Sequence, residues 1–311
     1  MRLSTSTNIL SYDWKHPCQI PFEQSVIVSQ AAGYRYLDAN LCGLCRTGYS
    51  AAALTVDDWE YRVRDWRSLG DRIGVEFKQA HAYFSTSGPV IAGSVPDGDY
   101  GEEMIRRCVL AAEILGVEWM VIHPFNVLVD GQISPDASYR CNLEYFRRWH
   151  EFWHKHHIGM AIENMYHHDT HVNVWGNIDC LTSLVDELNE PDIGICLDTG
   201  HAWITGFDPA ECVYKIGKRL KCTHIADNHG RPKDEHIAPF MGTIDWPALV
   251  RALRETGYSN DFSFETHHLT SCYPKAIQPA LVRFSYELGC YLLSDQLFKD
   301  AEKLQIVNKT E

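Results

Sequence analysis

Short apolar runs rich in β-branched and aromatic residues alternate with amphipathic stretches along this 311-residue chain. Such alternation is typical of βαβ units, in which a helix joins two parallel strands. The predicted strands are Leu3–Thr7, Tyr34–Asp38, Ile73–Ala80, Val117–Ile122, Ile158–Ile162, Ile193–Leu197, Leu220–Ile225 and Phe262–Phe264.

Amphipathic helices are predicted between these strands. Trp246–Thr256 has the clearest boundaries, because Asp245 can cap its first turn, Pro247 is tolerated there and Gly257 follows its last turn. The other predicted helices are Asp57–Leu69, Glu102–Leu115, Asn142–His157, Ile178–Asn189 and, after the last strand, Pro279–Leu293.

Eight strands with intervening helices predict an α/β fold, a (β/α)₈ TIM barrel that forms a single domain over residues 1–311. The core is expected over about 1–290, with a helical C-terminal extension over about 291–311 that covers the barrel or meets another subunit of a homo-oligomer. An open, doubly wound sheet is the alternative architecture.

Composition narrows the range of partners. Hydrophobic residues make up 45% and charged residues 22%, as in ordinary globular proteins. The net charge of −13 disfavours nucleic acid as a partner. We expect a cytoplasmic protein without a membrane partner, because no run approaches the ~20 apolar residues that span a bilayer and the eleven cysteines form no regular framework.

Six of the predicted strands lead directly into side chains that can bind metals. One such side chain alone is more often structural, since buried histidines and glutamates usually have hydrogen-bond or ion-pair partners. Six strands that end in this way favour a functional site. The residues are His81, His123, Glu163, Asp198 with His201, His224 and Glu265.

Parallel strands of a barrel point their C-terminal ends at one mouth, so these residues should converge there. Glu163, Asp198 and Glu265 would repel one another unless a cation lay between them. The sequence therefore predicts a divalent ion. Carboxylate and imidazole ligands suit Mn²⁺, Co²⁺, Zn²⁺ or Fe²⁺ better than Ca²⁺, and Mg²⁺ is also compatible.

Two longer segments carry a family resemblance, LDTGHAWITG at 197–206 and HIADNHGRPKDEHIAPFMGTIDWPALVRALRETGY at 224–258. With the strand-end residues they resemble the superfamily of xylose isomerase-like TIM barrels. That superfamily includes sugar phosphate isomerases and epimerases, inosose dehydratases and the apurinic endonuclease IV enzymes (AP endonuclease family 2). The chain is most similar to the sugar isomerase and epimerase branch.

This resemblance implies a metal-dependent isomerase or epimerase that acts on a sugar or sugar-like polyol through an enediolate. Glu163 and Glu265 would be the acid/base pair, and both would also bind the metal together with Asp198 and His224. A dehydratase of a keto-inositol or keto-sugar could use the same residues. The resemblance also implies substrate contacts at His201 and Arg231. Trp14 and Phe240 are further candidate contacts, because aromatic residues in loops at the mouth can stack on a sugar face. Phe240 belongs to an apolar wall of residues 239–241, which departs from the glycine-rich loop that the family often has there.

The endonuclease IV branch implies a different use of overlapping positions, a trinuclear zinc site. Its nine ligand positions fall on His81, His123, Glu163, Asp198, His201, His224, Asp234, His236 and Glu265. The same His and Asp positions occur in the sugar branch, so the count does not discriminate. The net charge, the absence of a Lys/Arg cluster with interleaved aromatics and the GTIDW ending of the second segment favour sugar chemistry.

Overall fold

The computed structural model describes residues 1–10, 20–46, 52–167 and 172–308. These residues contain eleven β-strands, numbered here in chain order. They are β1 Arg2–Ser6, β2 Tyr36–Asn40, β3 Glu76–His81, β4 Val90–Ile91, β5 Trp119–Ile122, β6 Val127–Val129, β7 Gln132–Ile133, β8 Gly159–Glu163, β9 Ile193–Asp198, β10 Leu220–Ile225 and β11 Asp261–Phe264.

Eight parallel strands close into a barrel in the order β1, β11, β10, β9, β8, β5, β3, β2. The closure joins the first strand to the last, with Arg2 opposite Asp261 and Thr5 opposite Phe264. The prediction of a single-domain (β/α)₈ barrel is therefore confirmed, and the open sheet is excluded. The three remaining strands form a small sheet, β4-β6-β7, which the sequence analysis did not predict.

Helices surround the barrel and bury a continuous apolar core between themselves and the strands. The α-helices are Phe22–Ala32, Leu41–Leu44, Trp59–Ile73, Gly98–Leu115, Pro135–Lys155, Ile178–Leu188, Thr199–Ile204, Pro209–Ile216, Trp246–Glu255, His268–Ser271, Gln278–Leu293 and Gln296–Asn308. Short 3₁₀ helices cover Thr7–Leu10, Ala53–Thr55, Val174–Gly176 and Gly217–Arg219.

The predicted start of the third barrel strand at Ile73 was wrong. Ile73 is the last residue of the preceding helix, and β3 begins at Glu76. Gly74 ends the helix with φ 73°, a left-handed conformation that glycine adopts without a Cβ penalty, and its N–H donates to the carbonyl of Gly70. The apolar pattern continues through this boundary, which explains the error.

The last two helices close one side of the molecule. Gln278–Leu293 packs beside Phe22–Ala32 and against the barrel, where Gly289 faces Leu3 and Phe264. In the following helix, Leu297 is buried. This helix, Gln296–Asn308, lies within the C-terminal extension expected over about 291–311. Within the described residues, no helix combines the length and apolar character needed to cross a bilayer.

Candidate metal centre at the barrel mouth

The period of the strands explains which side chains reach the mouth. Side chains alternate between the two faces of a strand, so residues two apart point the same way. Four small buried residues, Val121, Ala161, Cys196 and Cys222, form an apolar layer separate from the main core, inside the barrel. Each is followed two positions later, towards the mouth, by a polar residue. These are His123, Glu163, Asp198 and His224.

The central cluster contains the four predicted metal ligands. One ligand atom from each of Glu163, Asp198, His224 and Glu265 lies within 4.8 Å of the others. The Nδ1 atom of His224 is 2.8 Å from Oε1 of Glu163 and 3.1 Å from Oε2 of Glu265. The structure therefore brings these four residues together from four different strand ends.

A second cluster shares Glu163. Its Oε2 atom lies 3.3 Å from Nε2 of His81 and 2.9 Å from Nε2 of His123. The two imidazole nitrogens are 3.1 Å apart. Both oxygens of Glu163 are thus surrounded by imidazoles, one on the side of His224 and one on the side of His81 and His123.

A third cluster lies beside the first and combines His201 with two residues of the loop after β10, Asp234 and His236. Oδ2 of Asp234 is 2.7 Å from Nε2 of His236 and 3.6 Å from Nε2 of His201. His201 also approaches Glu163, with 3.8 Å between Nδ1 and Oε1. All nine positions named from sequence as metal-competent therefore converge at one mouth.

Backbone carbonyls fix the orientation of three of these imidazoles. Nδ1 of His81 donates to the carbonyl of Ala82, Nδ1 of His201 to that of Asn164 and Nδ1 of His236 to that of Glu265. A carbonyl can only accept, so each Nδ1 carries the proton. In a neutral ring, Nε2 is then a lone-pair donor directed at a carboxylate, as in metal-binding histidines.

Several buried atoms at the clusters fit a cation. Among the described residues, Oε2 of Glu163, Oδ2 of Asp198 and Nε2 of His201 make no hydrogen bond, although imidazole nitrogens approach Glu163 outside hydrogen-bond geometry. Buried polar atoms are almost always paired in folded proteins. A divalent ion bound among these carboxylates and imidazoles would supply the missing partner.

The electrostatics of the clusters in the absence of an ion also favour a bound cation. Burial raises the pKa of Asp198 to about 6, and the charges of Glu163 and Asp234 add to this increase. Burial lowers the pKa of His201, but Asp198 and Asp234 outweigh it and raise this pKa well above its ordinary value. In the absence of a metal, protons on the imidazoles would balance the carboxylates.

Residues around the clusters hold them in position. Nε2 of His224 lies 3.2 Å from Oδ2 of Asp38, and Asn8 donates to Oε1 of Glu265 at 3.2 Å. The side chain of Asn164 accepts from the N–H of Asp198 and donates to its carbonyl. Sequence reasoning missed Asn8 and Asn164, although Asn164 directly follows Glu163.

A cavity of about 1170 Å³ opens above the clusters. His81, His123, Glu163, His201 and Glu265 form part of its wall. Other lining residues supply aromatic, apolar and cationic groups, namely Phe22, Arg46, Phe84, Met165, Tyr166, Lys233, Met241, His267, Leu269 and Tyr273. This mixture of an apolar wall and a few polar groups is typical of small-molecule sites.

Two of the predicted substrate contacts do not line this cavity. Arg231 is exposed, and Lys233 lines the cavity instead. Phe240 is 51% exposed and packs against Trp246 and Tyr291, so Met241 alone represents the expected apolar wall. The third, Trp14, lies outside the described residues.

The fold and the site define a class of protein, a TIM barrel with metal-competent residues at its C-terminal mouth. The family model of the xylose isomerase-like TIM barrel matches residues 30–287, and the chain belongs to this family.

Curated relatives match parts of the chain. An uncharacterised protein, y4fM of Sinorhizobium fredii, is 39% identical over 74 residues, which cover 24% of each protein. The probable endonuclease 4 of Mesoplasma florum is 25% identical over 51% of this chain and 56% of its own length. The inosose isomerase of Bacillus subtilis is 23% identical over 52% of this chain and 57% of its own. The matched segments therefore span little more than half of these relatives at most.

Solved structures match nearly the whole chain. A D-tagatose 3-epimerase-like protein superposes with a TM-score of 0.69 at 21% identity, over 94% of this chain and 100% of its own. D-psicose 3-epimerase gives 0.72 at 13% identity, over 94% and 99%. IOLI protein, solved with a binding zinc atom, gives 0.70 at 16% identity, over 94% and 98%. At these identities the likeness shows the shared fold.

Proposed function

We propose that this chain is a divalent-metal-dependent isomerase or epimerase of a sugar or sugar-like polyol. The observation that carries the proposal is the central cluster, in which two glutamates, an aspartate and a histidine converge at the floor of a large cavity. Glu163, Asp198, His224 and Glu265 would hold the ion. When bound, the ion would polarise a carbonyl and its neighbouring hydroxyl and make the adjacent C–H more acidic.

Glu265 is the better placed of the two glutamates to exchange a proton with substrate. Both glutamates line the cavity, but the side chain of Glu265 is 14% exposed and that of Glu163 is 1% exposed. Asn8 donates to one of the oxygens of Glu265 and fixes the carboxylate. Removing a proton next to a carbonyl gives a planar enediolate, and returning the proton at another position or face yields an isomer or epimer.

Glu163 would return or remove the proton on the opposite face of the planar enediolate. Its position beside Glu265, across His224, supports this pairing. Similar proteins named as epimerases or isomerases also support it, as does a 3-keto-D-glucoside 4-epimerase of the same fold. A dehydratase would use the same first step but expel water, and inosose dehydratase of Lacticaseibacillus casei is among the relatives.

Hydrogen exchange tests the proposal directly. In D₂O, the metal-loaded protein should incorporate deuterium at a substrate carbon from a panel of ketoses and keto-inositols, followed by mass spectrometry. Glu265→Gln should retain measurable metal and lose at least about 100-fold of the exchange rate, because it removes the proton acceptor. Glu255→Gln, an exposed carboxylate bonded to Tyr214, is the matched control.

Full exchange in Glu265→Gln would remove this residue from the mechanism. Product mass separates the lyase reaction, since dehydration lowers it by one water. Exchange with none of the panel in wild type, under conditions where metal is bound, would contradict isomerase and epimerase chemistry alike.

Phosphodiester hydrolysis is the second candidate, and the convergence of three clusters favours it. Glu163 joins the first two clusters, and Asp234 joins His201 to His236 in the third, an arrangement that three ions could occupy. The net charge of −13 opposes binding to a phosphate backbone. Incision of a duplex with an abasic analogue by zinc-loaded protein would establish this activity, and intact duplex would exclude it.

A further inference from the structure

One cluster of metal-competent side chains lies away from the mouth. His150 and His154 are four residues apart in the helix Pro135–Lys155, so they share a face of the helix. Asp192 immediately precedes β9 and therefore lies at the opposite end of the barrel from the clusters described above. The proposed function does not involve these three residues.

Both histidines contact the same carboxylate, that of Asp192. Nε2 of His150 is 2.7 Å from Oδ1 of Asp192, and Nδ1 of His154 is 2.7 Å from Oδ2. One ligand atom from each residue lies within 4.8 Å of the others. His150 thus directs its Nε2 atom, and His154 its Nδ1 atom, at a separate oxygen of the Asp192 carboxylate. Both nitrogens therefore lie close to this one carboxylate.

We propose that His150, His154 and Asp192 form a second, peripheral binding site for a transition-metal ion such as Zn²⁺, Co²⁺ or Ni²⁺. Two imidazole nitrogens and one carboxylate oxygen are borderline ligands that suit these ions. The side chain of His154 is 70% exposed, so water can complete the coordination. The pair lies in the last two turns of its helix, where the helix dipole favours positive charge.

Local charge and freedom of movement are also suitable. Glu190, two positions before Asp192, adds a further negative charge near His154. Tetrahedral coordination with bonds of about 2.1 Å requires ligand atoms roughly 3.4 Å apart. The present 2.7 Å spacing must therefore widen by about half an ångström or more, and the exposed side chain of His154 can move by this amount.

A metal bound here would link elements that carry the central cluster. Asp192 is bonded through its carbonyl to the N–H of Met160 in β8, and it leads into β9. β8 ends at Glu163 and β9 ends at Asp198. An ion would therefore tie the helix Pro135–Lys155 to the starts of two strands whose ends supply metal ligands at the mouth.

Metal stoichiometry tests this site in the full-length protein. The test compares wild type with His154→Ala after equilibration with Zn²⁺ and gel filtration, using elemental analysis. Wild type should hold one equivalent more than the variant, and the affinity of that equivalent should fall at least about 10-fold in His154→Ala, because a direct ligand is lost. The test uses the difference in bound zinc between wild type and His154→Ala, so the result does not depend on how many ions the mouth binds.

Two further variants complete the test. His156→Ala is the matched control, since His156 directly follows the same helix and pairs with a different carboxylate, that of Glu113, at 3.0 Å. This variant should keep the extra equivalent. Asp192→Asn should lose the extra equivalent of Zn²⁺, although both imidazoles remain. Adding Zn²⁺ should raise the Tm of wild type and of His156→Ala more than that of His154→Ala.

Equal stoichiometry in wild type and His154→Ala would overturn the proposal and leave Asp192 as a hydrogen-bond acceptor alone. Retention of the extra ion by Asp192→Asn would also overturn the three-ligand site. Neither result bears on the isomerase proposal, whose readout is exchange at a substrate carbon.

Discussion

Asp38 illustrates how a residue outside the proposed ligand set can control one inside it. Its Oδ2 atom accepts from Nε2 of Gln79 at 2.8 Å and lies 3.2 Å from Nε2 of His224. With that nitrogen bonded to a carboxylate, Nδ1 of His224 remains free to face Glu163 and Glu265. Carboxylates that hold metal-binding histidines in this way fix the tautomer and the orientation of the ring.

Replacing Asp38 by Asn should weaken metal binding at the mouth by about 10–100-fold without unfolding the protein, because the side-chain shape is kept and the charge is lost. Competition with a chelator of known affinity would measure the change. Asp186→Asn removes a surface carboxylate paired with Arg219 and should leave the affinity unchanged. Equal affinity in wild type and Asp38→Asn would mean that Asp38 does not orient His224.

Residue identities predicted the convergence at the mouth well, but not the loop geometry. His81 and Glu163 are the last residues of their strands and His123 directly follows one, so the sheet period fixes their direction. Arg231 and Phe240 lie in the long loop after β10, where no period applies. Phe240 has φ 70°, and its ring packs against Trp246 and Tyr291. Such non-local packing cannot be inferred from neighbours in sequence.

At the scale of elements, long periodic segments were predictable and short ones were not. The barrel strands were identified from period within three residues at their ends, but the helix predicted from Asn142 begins at Pro135, and the helices Phe22–Ala32 and Pro209–Ile216 were not predicted. The small sheet was missed because β4 and β7 contain two residues each, too few to show a period. Their pairing depends on where the barrel places the loops after β3 and β5.

The helix Gln278–Leu293 seals the junction between the first and last barrel strands. A Cβ at Gly289 would lie 2.4 Å from Cδ1 of Leu3 and 2.9 Å from Cε2 of Phe264, closer than real contacts allow. Gly289→Ala should therefore lower the free energy of unfolding by roughly 1–2 kcal/mol, since overpacking outweighs the gain of about 1 kcal/mol in helix propensity.

Urea denaturation would measure this change. Glu287→Ala, on the exposed side of the same helix, gains propensity without a clash and should change the free energy of unfolding by less than about 0.5 kcal/mol. A more stable Gly289→Ala protein would show that Leu3 and Phe264 move aside at little cost.

At the scale of the whole molecule, the fold class was accessible from sequence because it depends on the order and period of the elements. Strand order predicted the barrel, and the barrel predicted one mouth for residues a hundred positions apart. The dimensions of the cavity were not accessible, because residues from many loops, such as Phe22, Phe84 and Tyr273, form its wall together.

Closure of the barrel also governs how copies of this protein can meet. Every strand of the ring has a neighbour on both sides, from the β1–β11 junction around to β2. The ring therefore offers no unpaired strand edge to which a second chain could add, and edge-to-edge aggregation through it is prevented. A homo-oligomer of this protein would have to associate through elements outside this ring.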